Sequence, residues 1–150
     1  RIMSQYQHVL IAVDLTEESH QVIEKGFAIA QRNDAKVSLI HALEPLGFAY
    51  GGDIPMDLTS IQEQLDQHAR EKIAELGNPM DVPDYRQHVI VGMPDSEIHR
   101  IAKEQDVDLI VVGSHGRHGL SLLLGSTSTG VLHGAKCDVL AVRIQKDKEK

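Results

Sequence analysis

The densest run of chemistry-bearing residues in this chain lies between Gly113 and Thr129, GSHGRHGLSLLLGSTST, where glycines and hydroxyl residues outnumber charges. Glycine lets successive backbone N–H groups converge, and such an array holds an anion. Gly125, Ser126, Thr127 and Ser128 stand where a last helix is expected to open. The free N–H groups and dipole of a helix start favour a phosphate, and the Ser126 and Ser128 hydroxyls add donors. The segment holds no lysine and no Gly-Lys-Ser/Thr run, so it is not a Walker A loop. Its glycines are three apart and late in the chain, unlike the dinucleotide-binding fingerprint. Earlier apolar runs end on Asp14, on His41 and Ala42, and on Gly92. An acid, a small apolar residue and two glycine turns suit a flat polar ring carrying a phosphate chain. Each has a plainer reading too: Gly92 as a turn former, Asp14 as a cap for a helix starting near Thr16.

These residues need a frame. Short apolar runs predict strands near residues 8–13, 36–42, 85–91, 108–112 and 138–143. Continuous apolar runs suit strands buried on both faces, as in parallel sheets. Between them lie segments of helical period. One runs from Thr16 to about Arg32, with Val22, Ile23, Phe27 and Ala30 on one face and Glu17 and Glu18 near its start. A second runs from Thr59 to Leu76, with Ile61, Leu65, Ala69, Ile73 and Leu76 as an apolar stripe opposite Glu63, Asp66, Arg70 and Glu71. A third opens at Pro94 and carries Ile98, Ile101 and Ala102. A fourth is expected from Ser126 to His133, with Gly134 as its C′ residue. Strand–helix alternation predicts a single α/β domain over residues 1–150, with a parallel sheet and helices on both faces. Ligands of open α/β sheets sit beyond the carboxyl ends of the strands. Glu44 to Asp57, with Pro45, Gly47, Gly51, Gly52 and Pro55, reads as a lid or mobile loop, and Gln145 to Lys150 as a charged tail.

Composition narrows the function. The chain has 150 residues, 41% hydrophobic and 25% charged, the profile of a soluble globular domain. Fifteen Lys plus Arg against 22 Asp plus Glu give a net charge of −7, which argues against electrostatic nucleic-acid binding. No apolar run approaches the ~20 residues of a membrane span. The N-terminus shows no signal-peptide pattern, and Arg1 and Ile2 read as residues ahead of a natural start at Met3. Cys137 is the single cysteine, so no internal disulfide and no four-cysteine zinc site can form; this suits a reducing cytoplasm. His115, His118 and His133 lack a neighbouring carboxylate and are not assigned to a metal. His41 reads as a hydrogen-bonded core residue, Cys137 as an inert buried thiol, and Asp106 and Asp108 as solvated turn residues. Adjacent Ser114 and His115 cannot readily meet as nucleophile and base. No catalytic residue is assigned.

VLIAVDLTEES, KVSLIHA, VGMPDSEIHRIAKEQDVDLIVVG, VVGSHGRHGL with LLLGSTS, and the ending CDVLAVR together resemble the universal stress protein family, in its UspA-type branch, over Met3 to Ile144. The resemblance implies a Rossmann-like, adenine nucleotide alpha hydrolase-like fold: an open five-stranded parallel sheet in the order 3-2-1-4-5. Its switch point falls between the first and fourth strands, which Asp14 and Gly113 terminate. It further implies a cytoplasmic homodimer. The last strand becomes an edge, and an uncovered apolar edge over Val139 to Val142 invites pairing with a second copy. Nucleotide-binding members hold ATP through Gly, two residues, Gly, nine residues, Gly-Ser/Thr. Carried over, Gly113, Gly116 and Gly125-Ser126 match that motif, with Ser128 completing the helix start. Asp14 matches the acid that contacts adenine, and Ala42 the small residue on the base. ATP or AMP is the expected ligand, Mg²⁺ is expected to accompany ATP, and Arg117 would screen phosphate charge. A protein partner is expected, of unknown identity.

One departure stands out: eight residues, not nine, separate Gly116 from Gly125. That spacing resembles UspA-type members, some of which bind no nucleotide, yet non-binders typically lack the glycines that remain here. The expectation is a nucleotide-binding stress-response module. The alternative is an interaction protein of the same fold with an empty cleft. Slow ATP hydrolysis ranks last, because the glycine motif offers no general base.

Overall fold

The computed structural model describes residues 5–46, 56–115 and 126–145. Their elements run β1 (His8–Ala12), α1 (Ser19–Asn33), β2 (Lys36–Leu43), α2 (Met56–Gly77), β3 (Gln87–Val91), α3 (Pro94–Glu104), β4 (Leu109–His115), α4 (Ser126–Gly134) and β5 (Asp138–Ile144). The strands form one sheet in the order β3-β2-β1-β4-β5, every pair parallel. The fold class and strand order are those expected.

Alternate strand residues point to opposite faces, and the central strands are apolar throughout because both faces are covered. Val9, Ile11, Leu39 and Val111 meet Val22, Ile23 and Ala30 of α1 and Ala69 and Ile73 of α2. Leu10, Ile40, Ile110 and Val112 meet Ile98 and Ile101 of α3 and Val131 of α4. The chain thus winds outward to β3 with its helices on one face, then returns to β4 and β5 with helices on the other, as right-handed crossovers require. Gly26 brings α1 down onto β1: a Cβ there would lie 2.7 Å from Ile11 Cδ1.

Several boundaries differ from the sequence reading. Helix α1 starts at Ser19 instead of Thr16, because residues 16–18 form a turn in which the Ser19 hydroxyl donates to Thr16 O at 2.8 Å. Tyr85 and Arg86 belong to a 3-10 turn over Asp84–Arg86, and β3 begins only at Gln87. In that turn Arg86 Nε–H donates to Val37 O at 2.8 Å, sealing the start of β2. Strand β4 continues past Gly113, because β5 supplies ladder partners as far as His115 against Ile144. Gly134 is the last residue of α4. Met56 and Asp57 open α2, so the expected loop ends earlier; residues 47–55, on which its mobility was expected, lie outside the described residues, as does the tail beyond residue 145.

The apolar stripe of α2 is covered only in its second half. Ala69 and Ile73 are buried, whereas Ile61 and Leu65 are 43% and 40% exposed. A helix of 22 residues spans ~33 Å, and the five-residue β3 beside it only ~17 Å. The helix outruns its strand. Asp108 is also more than a solvated turn residue: its carboxylate accepts the Gln7 N–H at 2.9 Å and the His8 N–H at 3.0 Å, capping the start of β1.

Beneath α3 the sheet carries three polar side chains, on β1, β2 and β3. His8 is 3% exposed and Ser38 fully buried. His8 Nδ1–H donates to Gln105 O at 3.0 Å, a carbonyl that can only accept, so Nε2 of the neutral ring accepts the Ser38 hydroxyl at 2.6 Å. His88 Nε2 is buried with no hydrogen-bond partner among the described residues. Burial pushes the His8 pKa down, against the pull of Gln105 O and Asp108 and with the push of Lys36 and Arg86. Burial also pushes His88 down, with His8 and Arg100 adding to the effect and Glu104 opposing it. Both rings bind protons more readily unfolded than folded. Stability is therefore fully present above the unfolded value of about 6.5 and falls as pH drops from there toward the lowered folded values. Urea denaturation is expected to give a lower midpoint at about pH 5.5 than at about pH 7.5, with a smaller fall in His88→Gln. A midpoint independent of pH over that range contradicts this.

Candidate functional site at the end of the first strand

Strand β1 is shorter than both its neighbours. Ala12 pairs with Ile40 and Ile11 with Val111, yet β2 runs on to Leu43 and β4 to His115. Each neighbour thus overhangs the end of β1 by three residues (Leu43 past Ile40, His115 past Val112), or ~10 Å. The notch between them is a cleft of about 140 Å³, walled by the strand ends, by Ser19 and Val22 of α1, by Pro94 and Ile98 of α3, and by Ile144. Asp14, Ala42 and Gly113 all line it, so the sequence analysis named residues that the fold brings together.

The backbone gives the cleft its hydrogen-bonding character. Val13 N–H donates to Ile40 O at 2.9 Å, so Ile40 turns its polar groups toward β1. Leu43 O, three residues on, accepts Gly92 N–H at 2.8 Å and faces β3. A strand presents the same edge at every second residue. Ala42 therefore turns its N–H and C=O toward the β1 side, past the last ladder bond. A donor and an acceptor stand side by side on the rim. The sequence reading valued Ala42 for its small side chain and missed this edge. Alternation along β2 carries the signal once the β1–β2 register is known.

Asp14 is exposed, and its Oδ1 accepts the Thr16 N–H at 3.1 Å and the Thr16 hydroxyl at 2.8 Å. It organises the turn before α1 and does not cap the helix, whose N-cap is Glu18 with no side-chain cap hydrogen bond, and it stands at the cleft. Leu15 beside it has φ 64°, a left-handed conformation that non-glycine residues adopt rarely and that recurs at functional sites. His41 is hydrogen-bonded as expected: Nδ1–H donates to Val13 O at 2.7 Å, pinning the end of β1 to β2. It also lines the cleft, which the sequence reading did not foresee. Ser114, on β4, donates its hydroxyl to Val142 O at 3.3 Å.

Gly116, Gly125 and Arg117 lie outside the described residues, and Ser126 and Ser128 are described only as the first turn of α4. Because α4 follows a strand of a parallel sheet, that first turn begins on the carboxyl side of the sheet, as the cleft does. Among the described residues the cleft walls carry one acid, Asp14, and no lysine or arginine. Among the described residues no three His, Cys, Asp or Glu side chains come together to hold a metal. Half-buried Cys137 has its thiol pKa pushed up by burial and by the negative charge of Asp138 and Asp108, which keeps it protonated and unreactive.

An open parallel sheet with a cleft where strand order reverses defines a class of ligand-binding α/β domains. Residues 5–143 match the model of the Universal stress protein family, and the chain belongs to that family. It is 44% identical over 147 residues to the Coxiella burnetii Universal stress protein A homolog 2, covering 95% of this chain and 99% of the relative. It is 40% identical over 139 residues to homolog 1 of the same organism, covering 91% and 96%. The fold resembles that of universal stress protein UspA from Lactobacillus plantarum, with a TM-score of 0.74 at 20% identity over 95% of this chain and all of that one. It also resembles a universal stress protein solved in complex with cAMP, with a TM-score of 0.62 at 26% identity over 93% and 98%.

Gly113 has a structural reason to be glycine. A Cβ there would lie 2.6 Å from Ile144 Cδ1 and 2.9 Å from the stiff Val22 Cγ2. Gly113→Ala is expected to cost ~1–3 kcal/mol through overpacking, read by urea denaturation; an unchanged midpoint contradicts this.

Proposed function

We propose that this protein is a stress-response module that binds an adenine nucleotide, ATP or AMP, in the cleft at the end of β1. The observation that carries the reading is the rim of Ala42. Its N–H and C=O are complementary to adenine, whose ring nitrogen N1 accepts and whose exocyclic amine donates. Guanine presents the opposite pair, N1–H and O6, and meets donor with donor. Asp14 supplies a second acceptor beside the ring. The cleft falls below the ~300–1,000 Å³ of a whole small-molecule site, which suits one ring of the ligand. With no cation among the described residues of the cleft walls, the phosphates would rely on the backbone of Gly113, Gly116 and Gly125, on the Ser126 and Ser128 end of α4 and on Arg117 as a charge screen. Mg²⁺ would come with ATP, held mainly by phosphate oxygens and water. The relative solved with cAMP supports an adenine ligand in this fold. The reading assigns no catalysis, a cytoplasmic location, a protein partner of unknown identity, and neither nucleic-acid nor membrane binding. Among the described residues no helix is long and apolar enough to cross a membrane.

A second reading, an interaction protein with an unoccupied cleft, is favoured by the eight-residue spacing and by Ile144 filling the bare side of Gly113. Calorimetry separates the two. Binding of ATP or AMP, weakened about tenfold or more in Asp14→Ala, supports the first. No heat at millimolar nucleotide from folded protein supports the second.

The module is proposed to act as a homodimer paired through β5. Among the described residues strand β5 is an edge, hydrogen-bonded in the sheet on one side only, to β4. Val142 lies in this strand as expected, with its side chain 7% exposed in the core; pairing would use the outward-facing backbone groups of Asp138 to Arg143. Sedimentation at micromolar concentration is expected to give the dimer mass, and a monomer mass contradicts the pairing.

A further inference from the structure

Glycine at position 113 leaves one side of the β4 backbone bare, and the chain itself fills that side. Ile144, the last residue of β5, and Val22 of α1 lie against it. Ile144 is half-buried and forms part of the cleft wall. Its strand position is set by the ladder register with His115 of β4, and a pair of hydrogen bonds one residue further on fastens that end to α1. Gln145 N–H donates to Gln21 Oε1 at 2.9 Å, and Gln21 Nε2–H donates to Gln145 O at 2.6 Å. The side-chain amide of Gln21 meets both polar groups of one backbone residue, as another strand would.

The clasp sits where the fold is easiest to open. Beyond Val111, the last β4 residue paired to β1 in the ladder, β4 keeps β5 as its ladder partner. Exposed hydrogen bonds between neutral groups compete with water and hold weakly, and strand ends at a sheet edge open locally at little cost. The same end limits the cleft. On the nucleotide reading the ring sits beside Ala42 and Asp14, and the sugar and phosphates extend past Gly113, where Ile144 lies.

We infer that the end of β5 is a latch on the nucleotide cleft: the Gln21–Gln145 clasp keeps Ile144 seated on Gly113, and the sugar–phosphate part of the ligand reaches the Gly113 backbone when the clasp parts and Ile144 withdraws. The inference rests on the nucleotide reading and adds its regulation. When only the unlatched fraction of molecules is competent, the apparent dissociation constant is the intrinsic one divided by that fraction. Loosening the latch therefore tightens binding without adding a contact to the ligand.

The test is calorimetry with ATP on the parent chain, Gln21→Ala and Ile144→Ala, each first shown to be folded by its thermal transition. Amide hydrogen exchange at Arg143 to Gln145 is followed alongside. Gln21→Ala removes the clasp and leaves Ile144; Ile144→Ala removes the obstruction and leaves the clasp. Both variants are expected to bind ATP about three- to tenfold more tightly than the parent. Exchange at Ile144 and Gln145 is expected to quicken in Gln21→Ala, and in the parent on adding ATP. Binding by the variants alone supports the latch in its strongest form. Equal or weaker binding by both variants, with the parent binding ATP, overturns the latch and leaves the nucleotide reading standing. No binding by any of the three overturns the nucleotide reading and the latch with it.

Discussion

The shortness of β1 is the constraint on which the carboxyl edge of this protein depends. A parallel strand gives its neighbours ladder bonds only as far as it extends. Where β1 stops, the groups just beyond its end and the facing groups of β2 and β4 lose their ladder partners and must be satisfied in other ways. His41 takes the Val13 carbonyl with its imidazole, Asp14 folds back on Thr16, and Ala42 is left turning a donor and an acceptor into the notch. The cleft is thus a consequence of register. Moving the end of β1 by one residue would turn a different backbone edge to the cleft.

The two cores make that register hard to change. Val9, Leu10 and Ile11 are fully buried, with their side chains divided between the helix pairs on the two faces. A one-residue slip of β1 would exchange the faces, bringing His8, which belongs with Ser38 and the Gln105 carbonyl beneath α3, into the apolar layer under α1 and α2. The Asp108 cap reinforces the register from the opposite end, through the Gln7 and His8 amides. Strong specification at the centre contrasts with the edges, where β5 ends in two exposed glutamine bonds and the first half of α2 extends beyond β3.

Strand–helix alternation is a local pattern, and it was legible: five apolar runs and the helical stripes carried the fold class, and the family resemblance carried the strand order. Asp14, Ala42 and Gly113 were legible as a group because the carboxyl ends of neighbouring parallel strands share one side of the sheet. What escaped depended on distant pairing. The exposure of Ile61 and Leu65 follows from the length of β3, not from the periodicity of α2. The capping role of Asp108 requires knowing that β1 starts beside it. The Ala42 edge requires the β1–β2 register. The fit of Ile144 over Gly113 joins residues from two strands and a helix, and glycine alone cannot announce which neighbour requires it.

In the proposed function the Ala42 edge at the end of β1 reads adenine. The most direct measurement is an amide chemical-shift titration of the folded protein with AMP and, separately, GMP. Saturable shifts are expected with AMP, centred on Val13, Asp14, Ala42 and Gly113, with the Ala42 amide among the largest, and much weaker ones with GMP. Saturable AMP shifts that leave Ala42 unmoved, or equal responses to the two nucleotides, would contradict that reading.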